Sequence, residues 1–196
     1  MITLKTAVIP ATFALLLLIF SVILTLHGAS EDSTRLLIRI TAATSLVLFS
    51  LAFSASSLNQ LLAAGRWRAL LQARRRIGIA FAISHSFHLI AIIALVQIAY
   101  DGDFSQLGDV AGGAVVYGFI YLMALTSNDA SVRILGPRQW KWLHKIGVYL
   151  IWLALTGSYI ANALDKGGLL YWAYSALCIG LLLLRITAFW RARTQS

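Results

Sequence analysis

The sequence predicts an all-α membrane bundle of about six helices with both termini cytoplasmic, and three observations predict it. Of the 196 residues, 60% are hydrophobic and only 12% are charged, with a mean hydropathy of +0.82. A soluble domain of this length has too little core to hide so much apolar surface. Apolar windows of about 20 residues, the length that spans hydrocarbon, follow one another along the chain. Basic and acidic residues segregate between alternate loops, the asymmetry that orients membrane proteins. No Gly/Ser/Pro linker, low-complexity tract or charge block interrupts the chain, so residues 1–196 read as a single domain.

The windows fall at about 6–27, 36–62, 77–100, 110–126, 141–164 and 169–190. The first follows Lys5, which raises a signal-peptide reading, but the apolar run is longer than a signal core and "LHGAS" is a poor cleavage site. A retained span is expected. The second is semi-polar through Thr41, Thr44, Ser45, Ser50, Ser54, Ser56 and Ser57, and is expected to face other helices, since small residues at helical spacing permit close approach. The third carries "AISHSFHLIAII", Ala82 to Ile93. The fourth opens on "GDVAGGAVVYG", whose glycines suit close helix packing and follow no strand, so they are not a dinucleotide fingerprint. After it, "TSNDA" offers Asn128 or Asp129 as the cap of a short segment. The fifth begins in "RQWKWLHK", where Trp140, Trp142, Lys141 and Lys145 read as an interfacial belt. The sixth contains the single cysteine, Cys178, which reads as a small buried hydrophobe.

Charge sets the expected orientation. One set of loops holds Arg66, Arg68, Arg74, Arg75, Arg76, Arg133, Arg138, Lys141 and Lys145, with Arg191 and Arg193 in the tail. The opposite set holds Glu31, Asp32, Asp101, Asp103, Asp109 and Asp165. Lys and Arg accumulate inside, so both ends are read as cytoplasmic. The net charge of +9 follows from this rule and from contact with anionic lipid headgroups. No nucleic-acid-reading motif accompanies it, and no nucleic-acid partner is expected.

His85 and His88 are the residues that composition does not explain. His88 is eleven residues beyond Ile77, about 16 Å into a hydrocarbon core roughly 30 Å thick. Positions i and i+3 share a helix face. Ionisable side chains at that depth are costly and usually face a bundle interior, a partner or a cofactor. Two readings stay open: neutral histidines bonded to a carbonyl or hydroxyl of a neighbouring helix, or a ligand site. His144 lies within a turn of the inner face, and spacing alone leaves it between ligand and anchor. His27, at the outer end of the first span, reads as an anchor.

"ARRRIGIAFAISHSFHLI" and "LMALTSNDASVRILGPRQWKWLHKIGVYL" resemble the ferric-reductase-like transmembrane domain. Within it, the match is nearest to the heme-binding membrane subunits of the bacterial periplasmic methionine sulfoxide reductase system. Arg74-Arg75-x-x-Gly78 leading to His88 carries the resemblance, then "ALTS" (Ala124 to Ser127), Leu135-Gly136, Trp140, Leu143-His144 and Tyr149, over about residues 72–150. The resemblance implies a multi-pass protein of the bacterial inner membrane that binds one or two b-type hemes through histidines of the third and fifth spans. Carried over by position, His88 is the third-span ligand and His144 the inner fifth-span histidine. His85 is additional to the pattern, and either ligates a second heme or supports the site. Arg74, Arg75 and Arg76 then either neutralise heme propionates or serve as plain positive-inside anchors.

The pattern also has a second fifth-span histidine thirteen residues after the first, a position held here by Gly157. His144 does not easily take its place opposite His88, because on straight helices their depths differ by about 12 Å. Electrons would come from a cytoplasmic flavin or quinone donor and pass to an acceptor, both supplied by separate partners in or at the bilayer. A self-contained reductase is not expected. The alternatives are a heme-free member of the fold acting as a structural or assembly partner, or a small transporter or metal-binding protein using His85 and His88. Transport is disfavoured by the near absence of carboxylates in the spans.

Overall fold

The computed structural model describes residues 4–62, 65–108 and 110–194. They form α1 (Leu4–His27), α2 (Glu31–Leu62), α3 (Gly65–Ala99), a 3₁₀ turn (Phe104–Leu107), α4 (Val110–Leu125), α5 (Asp129–Leu135), α6 (Pro137–Lys166) and α7 (Leu169–Thr194). No strand occurs among the described residues. Asp109, and the side chain of Lys5, lie outside them.

Five helices are long and apolar enough to cross a membrane, or six if α4 and α5, bent by 106°, are counted as one broken span. Large aliphatic side chains such as Leu18, Leu153 and Leu169 are exposed, a pattern that water disfavours and lipid accepts. Together these features point to a multi-pass membrane protein.

The helices overrun the apolar windows, and local chemistry explains where they start. α2 begins at Glu31 rather than near 36 because Ser30 and Ser33 cap it reciprocally: Ser30 N donates to Ser33 Oγ at 2.9 Å and Ser33 N to Ser30 Oγ at 3.3 Å. Glu31 and Asp32 then sit in its first turn, where the helix dipole favours anions. α3 begins at Gly65, so Arg66, Arg68 and Arg74 to Arg76 lie on helix rather than in a loop. Arg, Leu, Ala and Gln all favour helix, and hydrocarbon length limits only the apolar part. α6 starts on Pro137, a residue suited to a first turn. Asn128 caps α5, accepting from Ser131 N at 2.8 Å, and Gly136 (φ 76°) makes the corner between α5 and α6.

The chain divides into two compact units. The first comprises Met1–Phe49 and Arg75–Val115. Its core gathers Ile23, Leu37 and Ala91 from α1, α2 and α3, with Ile19, Phe20, Ile38 and Ile40 packed around them. Phe87 meets Phe13 and Phe20 edge-on, at 5.7 and 5.1 Å between ring centroids, a preferred aromatic geometry. At one end, Arg35 bridges Glu31 (2.7 Å) and the Tyr100 hydroxyl (3.2 Å).

The second unit comprises Ser50–Arg74 and Val116–Ser196. Here α6 packs on α7: Trp152 Nε1 donates to the Cys178 carbonyl at 2.8 Å, and Tyr159 and Tyr174 pack at 5.1 Å. Cys178 is fully buried, as expected of a small hydrophobe. α4 and α6 approach so closely at Gly147 that a Cβ there would press on the Met123 sulfur and meet a Phe119 ring carbon at 3.2 Å.

Candidate functional site

In the first unit a polar seam runs between α2 and α3. Thr41, Ser45 and Ser84 are fully buried, and a hydroxyl inside an apolar bundle must find a partner. Ser45 Oγ and Ser84 Oγ lie 2.9 Å apart, and Ser84 also reaches the Thr41 carbonyl at 3.4 Å. Thr41 Oγ1 lies 2.9 Å from His88 Nδ1. Thr41 and Ser45 of the partly polar second window thus face another helix, as its composition predicted.

The hydrogen bonds assign the imidazole tautomer. Thr41 sends its proton to the Leu37 carbonyl at 2.7 Å, the usual back-bond of a helical threonine. Its oxygen therefore accepts from His88 Nδ1. With its proton on Nδ1, His88 keeps the lone pair on Nε2. A ring held through one nitrogen with the other unprotonated is the form in which histidine binds a metal.

His85 is 9% exposed and stands beside His88, with ring centroids 5.2 Å apart and planes tilted by 33°. Phe81 continues the row, 5.1 Å from His85. The three rings form a ladder along α3 at i, i+4 and i+7, all on one face. No group of three or more His, Cys, Asp or Glu converges among the described residues, so a multi-ligand cage of the zinc type is not formed by them. The two imidazoles leave one helix on one side.

His144 belongs to the second unit, and its surroundings differ. Its ring stacks on Trp140 at 4.1 Å, one turn earlier on α6, and its Nε2 lies 3.1 Å from Thr126 Oγ1. Trp140 Nε1 donates to the Thr126 carbonyl at 2.7 Å. Thr126 of "ALTS", Trp140 and His144 thus form a latch across the end of α4. Gly157 is helical and exposed, with nothing within 4 Å of where a Cβ would stand. Nothing fills the place of the pattern's second histidine.

The arginine triplet is not uniformly exposed. Successive helical residues turn by about 100°, leaving Arg75 and Arg76 exposed while Arg74 is half-buried. Two partners escaped the sequence reading. Thr41 is 47 positions from His88 and carries no local signal. Arg185, within Coulombic reach of Arg74, did carry one: it interrupts "LLLLRITAFW" inside an apolar span.

Fold and seam define the class: a helical protein of multi-pass membrane type with two neighbouring imidazoles, one buried and one half-buried, along a seam between two of its helices. No family model, curated protein or solved structure matches the chain.

Proposed function

We propose that this protein is a membrane electron-transfer subunit that binds b-type heme, with His88 as an axial ligand. The observation that carries the reading is the bond from His88 Nδ1 to Thr41, which holds the ring and leaves the Nε2 lone pair for iron. When bound, heme supplies one-electron chemistry that side chains do not. The chain's own residues orient and insulate it: Thr41 holds the ring, His85 flanks the ligand, and Phe81 continues the row on the same face. One heme is the minimum, and His144 is the candidate for a second. Arg75 and Arg76 remain candidates for propionate contacts. In this proposal the chain makes six spans with both ends in the cytoplasm of a bacterial inner membrane. A quinone, or a flavin held by a partner, is the donor, and a separate protein is the acceptor.

A second reading is favoured by Gly157 and by the Thr41–His88 bond, which satisfies the imidazole without a ligand. In it the protein is a heme-free packing or assembly partner. Absorption spectra of the purified protein in detergent, oxidised and then dithionite-reduced, decide between the two. The first reading expects a Soret and α-band shift that His88→Ala largely abolishes. A colourless protein selects the second, and equal heme in wild type and His88→Ala removes His88 from the site.

A further inference from the structure

In the second unit, four helices bring together a group that the heme reading does not use. Phe53 of α2 is fully buried, and Tyr149 of α6 meets it edge-on at 6.0 Å. Against this corner lies the guanidinium of Arg185 from α7, 4.4 Å from the Phe53 ring and 5.0 Å from the Tyr149 ring. The rings hold the guanidinium by its flat face and orient it. They do not satisfy its edges: Nη1 is buried and makes no hydrogen bond. Arg74 of α3 stands within Coulombic reach. Among the described residues, neither Arg74 nor Arg185 makes an ion pair with a carboxylate.

Two guanidinium groups repelling each other among apolar helices is an expensive arrangement unless an anion completes it. Guanidinium edges match the oxygens of a phosphate in particular. The position says which phosphate. Arg185 is five residues short of Trp190, about 7–8 Å along α7. Trp190, Arg191 and Arg193 are exposed and form an interfacial girdle beyond it. Arg191 is tied back to the Leu61 carbonyl at the end of α2, at 3.2 Å. Two turns further into the apolar region, α7 exposes Leu177, about 80° round the helix from Arg185. An anion seated just inside the girdle, at the border of the apolar region, matches a lipid headgroup.

We infer that Arg185, braced by Phe53 and Tyr149 and with Arg74 nearby, forms a binding site for the phosphodiester headgroup of an anionic phospholipid. The site is independent of whether heme is present.

Native mass spectrometry of the full chain with phosphatidylglycerol, or with phosphatidylcholine of the same acyl chains, tests it. Wild type retains the anionic lipid about tenfold more than the zwitterionic one. Arg74→Gln/Arg185→Gln brings the two to parity, whereas Arg75→Gln, which removes a neighbouring exposed cation, keeps the preference. Thermal melting of wild type requires no variant to fold: phosphatidylglycerol raises Tm and phosphatidylcholine does not. Equal retention of both lipids by wild type overturns the site, as does an undiminished preference in the double Gln variant. Displacement of the lipid by millimolar inorganic phosphate assigns the pair to a free oxyanion and overturns the lipid. Loss of heme absorbance in Arg185→Gln with lipid preference intact assigns it to a propionate and also overturns the lipid.

Discussion

Replacing Thr41 by valine removes one hydroxyl from the α2–α3 seam and almost nothing of its shape. Thr41 is fully buried, and its oxygen sits 2.9 Å from His88 Nδ1. Two bonds are lost, the one from His88 and the back-bond to Leu37. The Leu37 carbonyl remains within the helix, and His88 is only half-buried, so no fully buried donor is stranded outright. The full penalty of about 1–3 kcal/mol for an unsatisfied buried group therefore does not apply, and about 0.5–1.5 kcal/mol is expected. Side-chain bonds inside membrane proteins average about 0.6 kcal/mol, which favours the lower end. A double-mutant cycle of Thr41→Val with His88→Leu isolates the pair, read by denaturant titration in mixed micelles with far-UV circular dichroism. A coupling energy between about 0.5 and 1.5 kcal/mol is expected. Coupling below about 0.3 kcal/mol, the usual error of additivity, refutes the bond and with it the tautomer that leaves Nε2 for iron.

Three further outcomes follow from other parts of the molecule. Gly147→Val forces its new side chain onto Met123 and Phe119, and overpacking of this kind costs about 1–3 kcal/mol; an unchanged melting temperature means that α4 and α6 do not approach there. For the proposed topology, a cysteine at Ser131 resists a membrane-impermeant thiol reagent in intact cells while one at Ser105 reacts, and the opposite labelling inverts the orientation. Hydrogen bonds from the side chains of Ser105 and Gln106, with the Ser105 amide, hold the Asp103 carboxyl below its ordinary range. A depressed folded-state pKa stabilises above the unfolded value and is lost as pH falls through the folded one. The 3₁₀ turn Phe104–Leu107 should accordingly loosen only below the ordinary carboxylate range, and protection of the Ser105 amide from exchange that stays unchanged as pH falls below that range contradicts the cap.

Hydrophobic runs, which depend only on the energy of side chains in hydrocarbon, located α1, α2, α3, α6 and α7 in the sequence by their apolar parts. They did not locate helix starts, because a helix continues past the hydrocarbon wherever caps and propensity allow. The Ser30–Ser33 box and the Arg-rich first turns of α3 are local chemistry that an apolar window does not score. The break between α4 and α5 was visible in "TSNDA" as a cap, but its 106° bend was not. The pairing of His85 with His88 followed from a spacing of three and was legible at once. What holds them was not: Thr41 reaches His88 only because α2 and α3 pack, a contact between residues far apart in the chain that leaves no periodic trace. The same holds for His144, open between ligand and anchor until Thr126 and Trp140 were found around it. Arg185 was conspicuous as a charge in an apolar span, yet only tertiary packing sets it against Phe53 and Tyr149 with Arg74 alongside. Composition and spacing determine which side chains are costly in a membrane, whereas the neighbours that repay or leave open that cost are chosen by helix packing.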